Sequence, residues 1–512
     1  MKFMSNRNIK QEFKDIHAIL LDSQHHFGPK IFLVSVDQDR SLTFNEINEY
    51  TSKVANFLKN KNFPKESKIG LIGKNRIETL VLFLGILRYG AIACPVNFEE
   101  SRENIFRIMN RVHPQLCFYD QEIDSDCLAG VPVSFSYSDS PATEPTDLFS
   151  ALDHYNSFFD RPQGEGGDIV EILFTSGTTE TPKGVAISRE GLFFMVDEVI
   201  RKLELTSDDR VLEYRAYSWA STQLLSLFST LRMGATLLLA RKFSRSKFSE
   251  WLKKYDVTIS SGVPTVINIL VSDPVELKKE DVPALKYVTS SSAPLSPENQ
   301  RAFERIYGIR INQMAGMTEA GWMIGNPPGR SKTGSVGTPF LHKEIVILDE
   351  NERECKIGQE GEIVVKGKSL AVGYLNEKGE VDPFPAEGFR TGDTGYKDSE
   401  GYIFITGRKK DLIIRGGVNI SPKEITGRIM QYPGVKEAVT IGVPDEIYGE
   451  EVASFVVPIE KGKISSEDIS NHCGRTLPDF KLPKIIRFLD SIPKTERGKV
   501  SKNALLEILA KE

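Results

Sequence analysis

The chain is poor in the residues that staple or metallate a fold. Its five cysteines, Cys94, Cys117, Cys127, Cys355 and Cys473, stand alone with no CxxC pair, and its seven histidines include no HExxH. That argues against a disulfide framework and against a structural zinc site. Long apolar runs are also missing. The longest clean one, Leu80 to Leu87, falls far short of the ~18 residues needed to cross a bilayer. The N-terminal MKFMSNRNIKQEF carries no apolar h-region, so no secretory signal is expected, and a cytoplasmic protein without a membrane span is the default. Charge of one sign is lacking as well: 65 Lys and Arg face 70 Asp and Glu, a formal net charge of −5. A balance so close to neutral speaks against a nucleic-acid partner and against steering toward polyanions.

What is present is a large apolar fraction. Of 512 residues, 40% are apolar and 26% charged, which excludes intrinsic disorder and suffices for about three packed units. Residues 1–160 alternate strand and helix patterns. Lys68 to Ile72 reads as a short strand and Ile77 to Tyr89 as a buried helix, a βα alternation that implies a largely parallel sheet covered by helices. Ser134 to Asp147, rich in Ser, Pro, Thr and Asp, reads as a surface excursion. Ile169 to Phe174, Ala235 to Leu239 and Val257 to Ser260 read as inner strands. From about Gly337, short alternating runs (KEIVILD, GEIVVKG, GYIFITG) suggest a small antiparallel subdomain. After Arg415-Gly416-Gly417, helix patterns at 422–431, 466–475 and 501–511 alternate with strand patterns at 435–443, 451–459 and 485–490, as in a compact α+β unit. The expected class is α/β: a large N-terminal domain of mixed sheets flanked by helices, with a small β-subdomain, then a small mobile α+β C-terminal domain.

The strongest local signal is Thr175-Ser176-Gly177-Thr178-Thr179-Glu180-Thr181-Pro182-Lys183-Gly184, directly after the apolar IVEILF. Hydroxyls, glycines and one lysine after a strand suit a polyphosphate, to which backbone N–H groups and hydroxyls donate while the lysine supplies charge. An ordinary Ser/Thr-rich turn has the same composition. A Walker A loop is excluded, because Pro182 precedes the lysine and no Gly-Lys-Ser/Thr opens a helix.

Further motifs follow in order: Gly316-Met317-Thr318-Glu319; Gly361-Glu362-Ile363 through Gly373-Tyr374; Phe389-Arg390-Thr391-Gly392-Asp393; Gly407-Arg408-Lys409-Lys410-Asp411 running into Arg415-Gly416-Gly417-Val418-Asn419-Ile420-Ser421-Pro422; and Pro493-Lys494-Thr495-Glu496-Arg497-Gly498-Lys499. Together with the loop at Thr175 they closely resemble the adenylate-forming superfamily, which contains acyl-CoA synthetases, peptide-synthetase adenylation domains and luciferases. The resemblance runs from about residue 40 to the end of the chain.

The resemblance implies roles, each beside a plainer alternative. Thr175, Ser176, Gly177, Thr178, Thr179 and Lys183 would hold phosphates. Asp393 would accept both ribose hydroxyls of ATP, as a carboxylate offers two acceptor oxygens to a vicinal diol; a turn aspartate otherwise bonds its own backbone. Arg408, otherwise a surface arginine, would contact ribose or phosphate. Glu319 would hold Mg²⁺ and Thr318 would donate to the adenylate phosphate, whereas Glu319 could instead be a helix N-terminal charge. Lys499 would bridge the substrate carboxylate and the α-phosphate, lowering the repulsion between two anions. Lys410 would be the hinge, and Gly416, Gly417 and Val418 would border a pantetheine tunnel. The implied division is an AMP- and acid-binding domain over residues 1–407, with its β-rich part at about 337–407, a hinge at 408–411 and a C-terminal domain over 412–512.

Three positions depart from the family pattern. Glu180 stands where the loop usually has Gly, and would point to solvent or pair with a base such as Lys183. Ala315 replaces the aromatic that stacks on adenine. Ser290-Ser291-Ser292 replaces a Gly-rich stretch before Ala293-Pro294, also beside adenine, as are Gly316 and Met317. The acyl pocket is expected around Tyr217, Trp219, Gly262, Val263, Met314 and Trp322, each of which is equally well an ordinary core residue. Arg215-Ala216-Tyr217 stands in place of the usual aromatic-His gate. Trp219 stands where amino-acid-activating members carry an Asp, which argues against an α-amino acid substrate.

The resulting expectation is an ATP- and Mg²⁺-dependent ligase that joins a carboxylic acid, of medium, aromatic or acyl type, to CoA through an acyl adenylate. The alternatives are a stand-alone ligase that loads a carrier protein, and a non-catalytic nucleotide- or acyl-binding relative.

Overall fold

The computed structural model describes residues 15–138, 148–160, 168–175, 182–416, 418–494 and 500–510. Two large sheets form its frame. In the first, of nine strands, Ile31–Ser35, Thr236–Leu239, Arg210–Glu213, Ile259–Ser260, Tyr287–Ser290 and Ile311–Met317 run parallel, with antiparallel strands at both edges. In the second, of eight strands, Ser134–Tyr137, Leu116–Asp120, Lys68–Gly73, Ile92–Asn97 and Ile169–Thr175 are parallel, and Lys183–Ser188, Gly373–Leu375 and Val381–Pro383 complete an antiparallel margin.

Helices fill the space between the two sheets and cover their outer faces. The segment Ile77–Tyr89 is buried at every position, as its unbroken apolar run requires, and Gly90 closes it in a left-handed conformation at φ 96°. Gly85 lets the neighbouring helix Phe44–Asn60 approach: a Cβ there would stand 2.5 Å from Val54. Arg88 spends its charge inside this layer, donating to the Asn48 carbonyl and side-chain oxygens at 2.8 Å each. Parallel sheets covered on both faces place their loops at the strand C-termini, where ligands bind in open α/β folds.

A four-stranded antiparallel sheet, Lys343–Leu348, Gly361–Gly367, Phe389–Lys397 and Ile403–Arg408, forms the small subdomain. The C-terminal unit is a five-stranded sheet centred on Val435–Asp445 and Gly449–Pro458, with helices Pro422–Met430, Ser466–Gly474 and Lys502–Ala510.

Two expectations need correction. Ser134–Tyr137 is a strand in parallel register with Leu116–Asp120, since its alternation supplies an edge to the large sheet; only the start of the supposed excursion is described. The stretch 337–407 is not one sheet either. Thr338–Pro339 extends the nine-stranded sheet, and Gly373–Leu375 pairs with Lys183–Ser188 in the eight-stranded one. The second of these swaps builds the site.

Candidate active site

Strands Ile169–Thr175 and Lys183–Ser188 form an antiparallel hairpin in which Thr175 pairs with Lys183. Ser176, Gly177, Thr178, Thr179 and Glu180, which follow the first strand in sequence, lie outside the described residues. Lys183 is exposed at the hairpin mouth and its ammonium lies 5.0 Å from the Tyr374 ring centroid. Tyr374 arrives on the strand paired with this hairpin, and its hydroxyl donates to Glu319 Oε1 at 2.8 Å. Burial and the adjacent Glu319 charge both raise the Tyr374 phenol above its ordinary pKa, so it stays a donor.

Glu319 is itself buried, with its carbonyl accepting from the Ala371 amide at 2.9 Å. No helix begins there; strand Gly321–Gly325 follows, which rules out the helix-charge alternative. The preceding turn needs glycine at Gly316, because a Cβ would meet the Gly321 carbonyl oxygen at 2.5 Å. The ladder slips between Ala315 and Gly316, which leaves Met317 and Thr318 half-buried beside Glu319. Ala315 points into a cluster with Met323, Ile324 and Ile345 and is nearly fully buried. Ser292, Ala293 and Pro294 are exposed after strand Tyr287–Ser290, and Ser292 holds a left-handed φ of 72°.

Asp393 and Arg408 are cross-strand partners in the small sheet, and Arg408 Nε donates to Asp393 Oδ1 at 2.8 Å. Thr391 Oγ1 accepts from the Asp393 amide at 3.0 Å and donates to the Ile363 carbonyl, fixing the turn through Gly392 at φ 70°. Lys410 lies in the short turn that follows. Burial lowers its ammonium pKa, and positive Arg408 and Lys183 add to that effect against Asp411 and Asp393. Lys423, in the first turn of Pro422–Met430, is lowered mainly by burial and faces Asp393 and Arg408 too. Ser421 Oγ, just before it, donates to the Thr406 carbonyl at 3.0 Å, so the C-terminal unit is seated against the subdomain.

A family model of AMP-binding enzymes matches residues 21–375, and one of the AMP-binding enzyme C-terminal domain matches residues 424–499. The chain belongs to the AMP-binding enzymes. It is 31% identical to sulfoacetate–CoA ligase of Cupriavidus necator over 98% of this chain and 99% of that one. It is 30% identical to oxalate–CoA ligase of Arabidopsis thaliana, covering 86% of this chain and 88% of the relative. The crystal structure of ATP-bound MatB from Rhodopseudomonas palustris superposes with a TM-score of 0.89 at 27% identity, over 97% and 99% of the two chains.

Within this AMP-binding enzyme, the structure gathers Lys183, Glu319, Asp393, Arg408 and Lys410 from segments spread over more than two hundred residues of sequence. Lys499 and Gly417 lie outside the described residues. Gly416, at φ 58°, donates its amide to the Tyr448 carbonyl at 2.8 Å, and Val418 is exposed. On the acid side, Gly262 packs where a Cβ would stand 2.1 Å from the Thr289 carbonyl oxygen, with half-buried Val263 capping helix Pro264–Ser272. Met314 and Trp322 are buried in the central cluster. Trp219 stands half-buried at the start of helix Ala220–Thr222; with Asn97, Phe174 and Ser218 it lines a cavity of ≈ 10 Å³, room for about one water. Tyr217 is buried, with its ring packed against Phe83 and its hydroxyl donating to the Leu71 carbonyl at 3.1 Å.

Three features escaped the sequence reading. Tyr374 was visible only as part of a glycine-tyrosine motif. Lys423 left one signal, a cation in a helix first turn, where the macrodipole disfavours it. The third is a buried ion pair. Arg215 donates through Nε and NH2 to both oxygens of Glu213, at 2.9 and 2.7 Å, and Ser261 and Ser226 donate to Glu213 Oε2.

Proposed function

We propose that this AMP-binding enzyme is an AMP-forming acid–thiol ligase that makes an acyl-CoA from a small carboxylic acid, ATP and CoA. The observation that carries this reading is the convergence of Lys183, Tyr374 and Glu319 on one side and of Asp393 with Arg408 on the other. It supplies cations for phosphates and an acceptor for a ribose diol around one cleft. The names of the relatives support CoA as the acceptor.

Asp393 accepts ribose hydroxyls, with Oδ1 held in place by Arg408. Lys183 neutralises phosphate charge. Glu319 offers one oxygen to Tyr374 and keeps the other for a hard cation. Among the described residues no group of three His, Cys, Asp or Glu could hold a metal. A single carboxylate fits Mg²⁺: Glu319 would hold the ion through its free oxygen, and the ion would supply charge neutralisation beside the phosphates. A substrate carboxylate oxygen attacks the α-phosphorus, the bond to the β-phosphate bridging oxygen breaks, and pyrophosphate leaves. Thr318 donates to the α-phosphate and Lys499 lowers the repulsion between the two anions. The CoA thiolate then attacks the acyl carbon and AMP leaves with the bonding electron pair. Lys410 is the hinge that lets the C-terminal unit change faces between the steps, and Gly416, Gly417 and Val418 line the thiol's approach.

Acid-dependent ATP–pyrophosphate exchange tests the reading, followed by CoA-dependent release of AMP. Exchange with no acid of any class would exclude the ligase and leave a binding protein.

A further inference from the structure

Resting on the ligase reading, we infer that Arg215 forms part of a subsite for a second oxyanion on the acid, so that the substrate is a short acid with a carboxylate or sulfonate at its far end. The Glu213 carboxylate saturates only one side of the guanidinium. The NH1 edge is left with long contacts to Ser291 Oγ at 3.3 Å and Ser221 Oγ at 3.5 Å. Neither hydroxyl supplies the close, charged acceptor that a buried guanidinium prefers. Glu213 accepts six hydrogen bonds in all, from Arg215, two serines and two backbone amides, so its charge is fully met by protein groups.

A second observation points the same way. Trp322 Nε1 and Thr222 Oγ1 are buried with no hydrogen-bond partner among the described residues. Helix Ala220–Thr222 packs on strands Ile311–Met317 and Gly321–Gly325, and Trp322 stands opposite Gly316 in their ladder. An indole N–H and a guanidinium can only donate, and an ionised carboxylate or sulfonate can only accept. A hydrocarbon tail against Trp322 Nε1 or Thr222 Oγ1 would leave that group desolvated and unmatched. The subsite also bounds length. Ser291 adjoins Ser292 on the proposed nucleotide wall, and adjacent Cα atoms are about 3.8 Å apart, so few bonds separate the oxyanion from the reacting carboxylate.

The test compares kcat/KM for malonate and sulfoacetate with that for propionate, which matches malonate in length but lacks the second charge. The wild-type enzyme is expected to favour at least one dianion by on the order of tenfold to a hundredfold; which one leads identifies the carboxylate or the sulfonate. The double variant Glu213→Gln/Arg215→Met, which removes both charges together, should lose that preference: its kcat/KM for the dianion should fall to that for propionate measured on the same folded variant. Ser221→Ala keeps the ion pair and should narrow the preference by roughly fivefold. Equal or better use of propionate by the wild type overturns the subsite, as does an unchanged ratio in a folded variant. Absence of pyrophosphate exchange with every acid is a different result: it removes the ligase reading, and the subsite with it.

Discussion

Around the proposed nucleotide site, this protein uses strand turns and half-exposed charge; around the proposed acid site, it uses a buried charge pair. Asp393 and Arg408 face each other across two antiparallel strands, with the Arg408 side chain 41% and the Asp393 side chain 16% exposed. Glu213 and Arg215 lie two residues apart at the end of a parallel strand, 1% and 2% exposed. An exposed pair exchanges partners cheaply, so Asp393 can pass from Arg408 to a ribose. A buried pair is costly to break, so Glu213 holds Arg215 still, and in the proposed subsite only its outer edge would meet the ligand. The nucleotide side is therefore built for exchange and closure, and the acid side for fixed selection.

The largest effect that separates the two sides is expected at Lys499. Lys499→Ala should slow acyl-adenylate formation by on the order of 10²–10³, the scale of removing one preorganised electrostatic partner. Thioester formation from a supplied acyl adenylate should persist. Equal loss of both half-reactions in a folded variant would mean that the C-terminal unit does not serve the two steps separately.

Asp393→Ala comes next. Charge-assisted hydrogen bonds contribute roughly 1.5–3 kcal/mol, so ATP affinity measured by calorimetry should fall by about tenfold to a hundredfold while the ranking of acids stays unchanged. A changed ranking would mean that the two sides are not independent.

The same contrast explains what the sequence could show. Motif residues on the nucleotide side are specified by backbone demands that few residue types satisfy. Gly316 must approach the Gly321 carbonyl, and Gly392 must take a positive φ, so both can be read in order along the chain. Asp393 and Glu319 were named because they stand in these motifs, through the family resemblance the motifs carry. The helix Ile77–Tyr89 was legible at both ends because a continuous apolar run can only be buried. Arg215 and Tyr374 depend on partners far away in sequence: Ser291 for one, Glu319 for the other. No local pattern encodes which strand lies beside which, and the entry of Gly373–Leu375 into the distant sheet is a tertiary choice.

A third prediction bears on the core behind the acid side rather than on turnover. Glu171 is buried on strand Ile169–Thr175, and burial pushes its carboxyl pKa up to about 8, partly opposed by Gln223 Nε2 donating at 2.6 Å. The folded protein thus keeps this proton to higher pH than the unfolded chain does. Where the unfolded state binds fewer protons, stability falls as pH rises, by up to about 1.4 kcal/mol per unit for one group. The fall should run from the ordinary carboxyl range to about pH 8 and then level off. Glu171→Gln should remove that part of the slope, as measured by thermal unfolding between pH 5 and 9. An unchanged slope would mean that Glu171 is ionised in the fold.

The smallest effect sharpens the comparison at the point where the two sides meet. Ser292 adopts φ 72° on an exposed turn of the nucleotide wall, next to Ser291, which contacts Arg215. A left-handed conformation costs an ordinary L-residue roughly 1–2 kcal/mol, and glycine removes that cost. Glycine also gives the unfolded chain more freedom, which takes back about 0.4–1 kcal/mol. Ser292→Gly should therefore stabilise the protein by a net of roughly 0.5 kcal/mol, a shift of about 0.5 °C in the calorimetric transition of a chain this long. Because Ser292 is exposed and Ser291 keeps its place, the ratio of dianion to propionate use should not move. A stabilised variant with an altered ratio would show that the turn's strain is transmitted to Arg215, and that exchange on one side of the cleft is coupled to selection on the other.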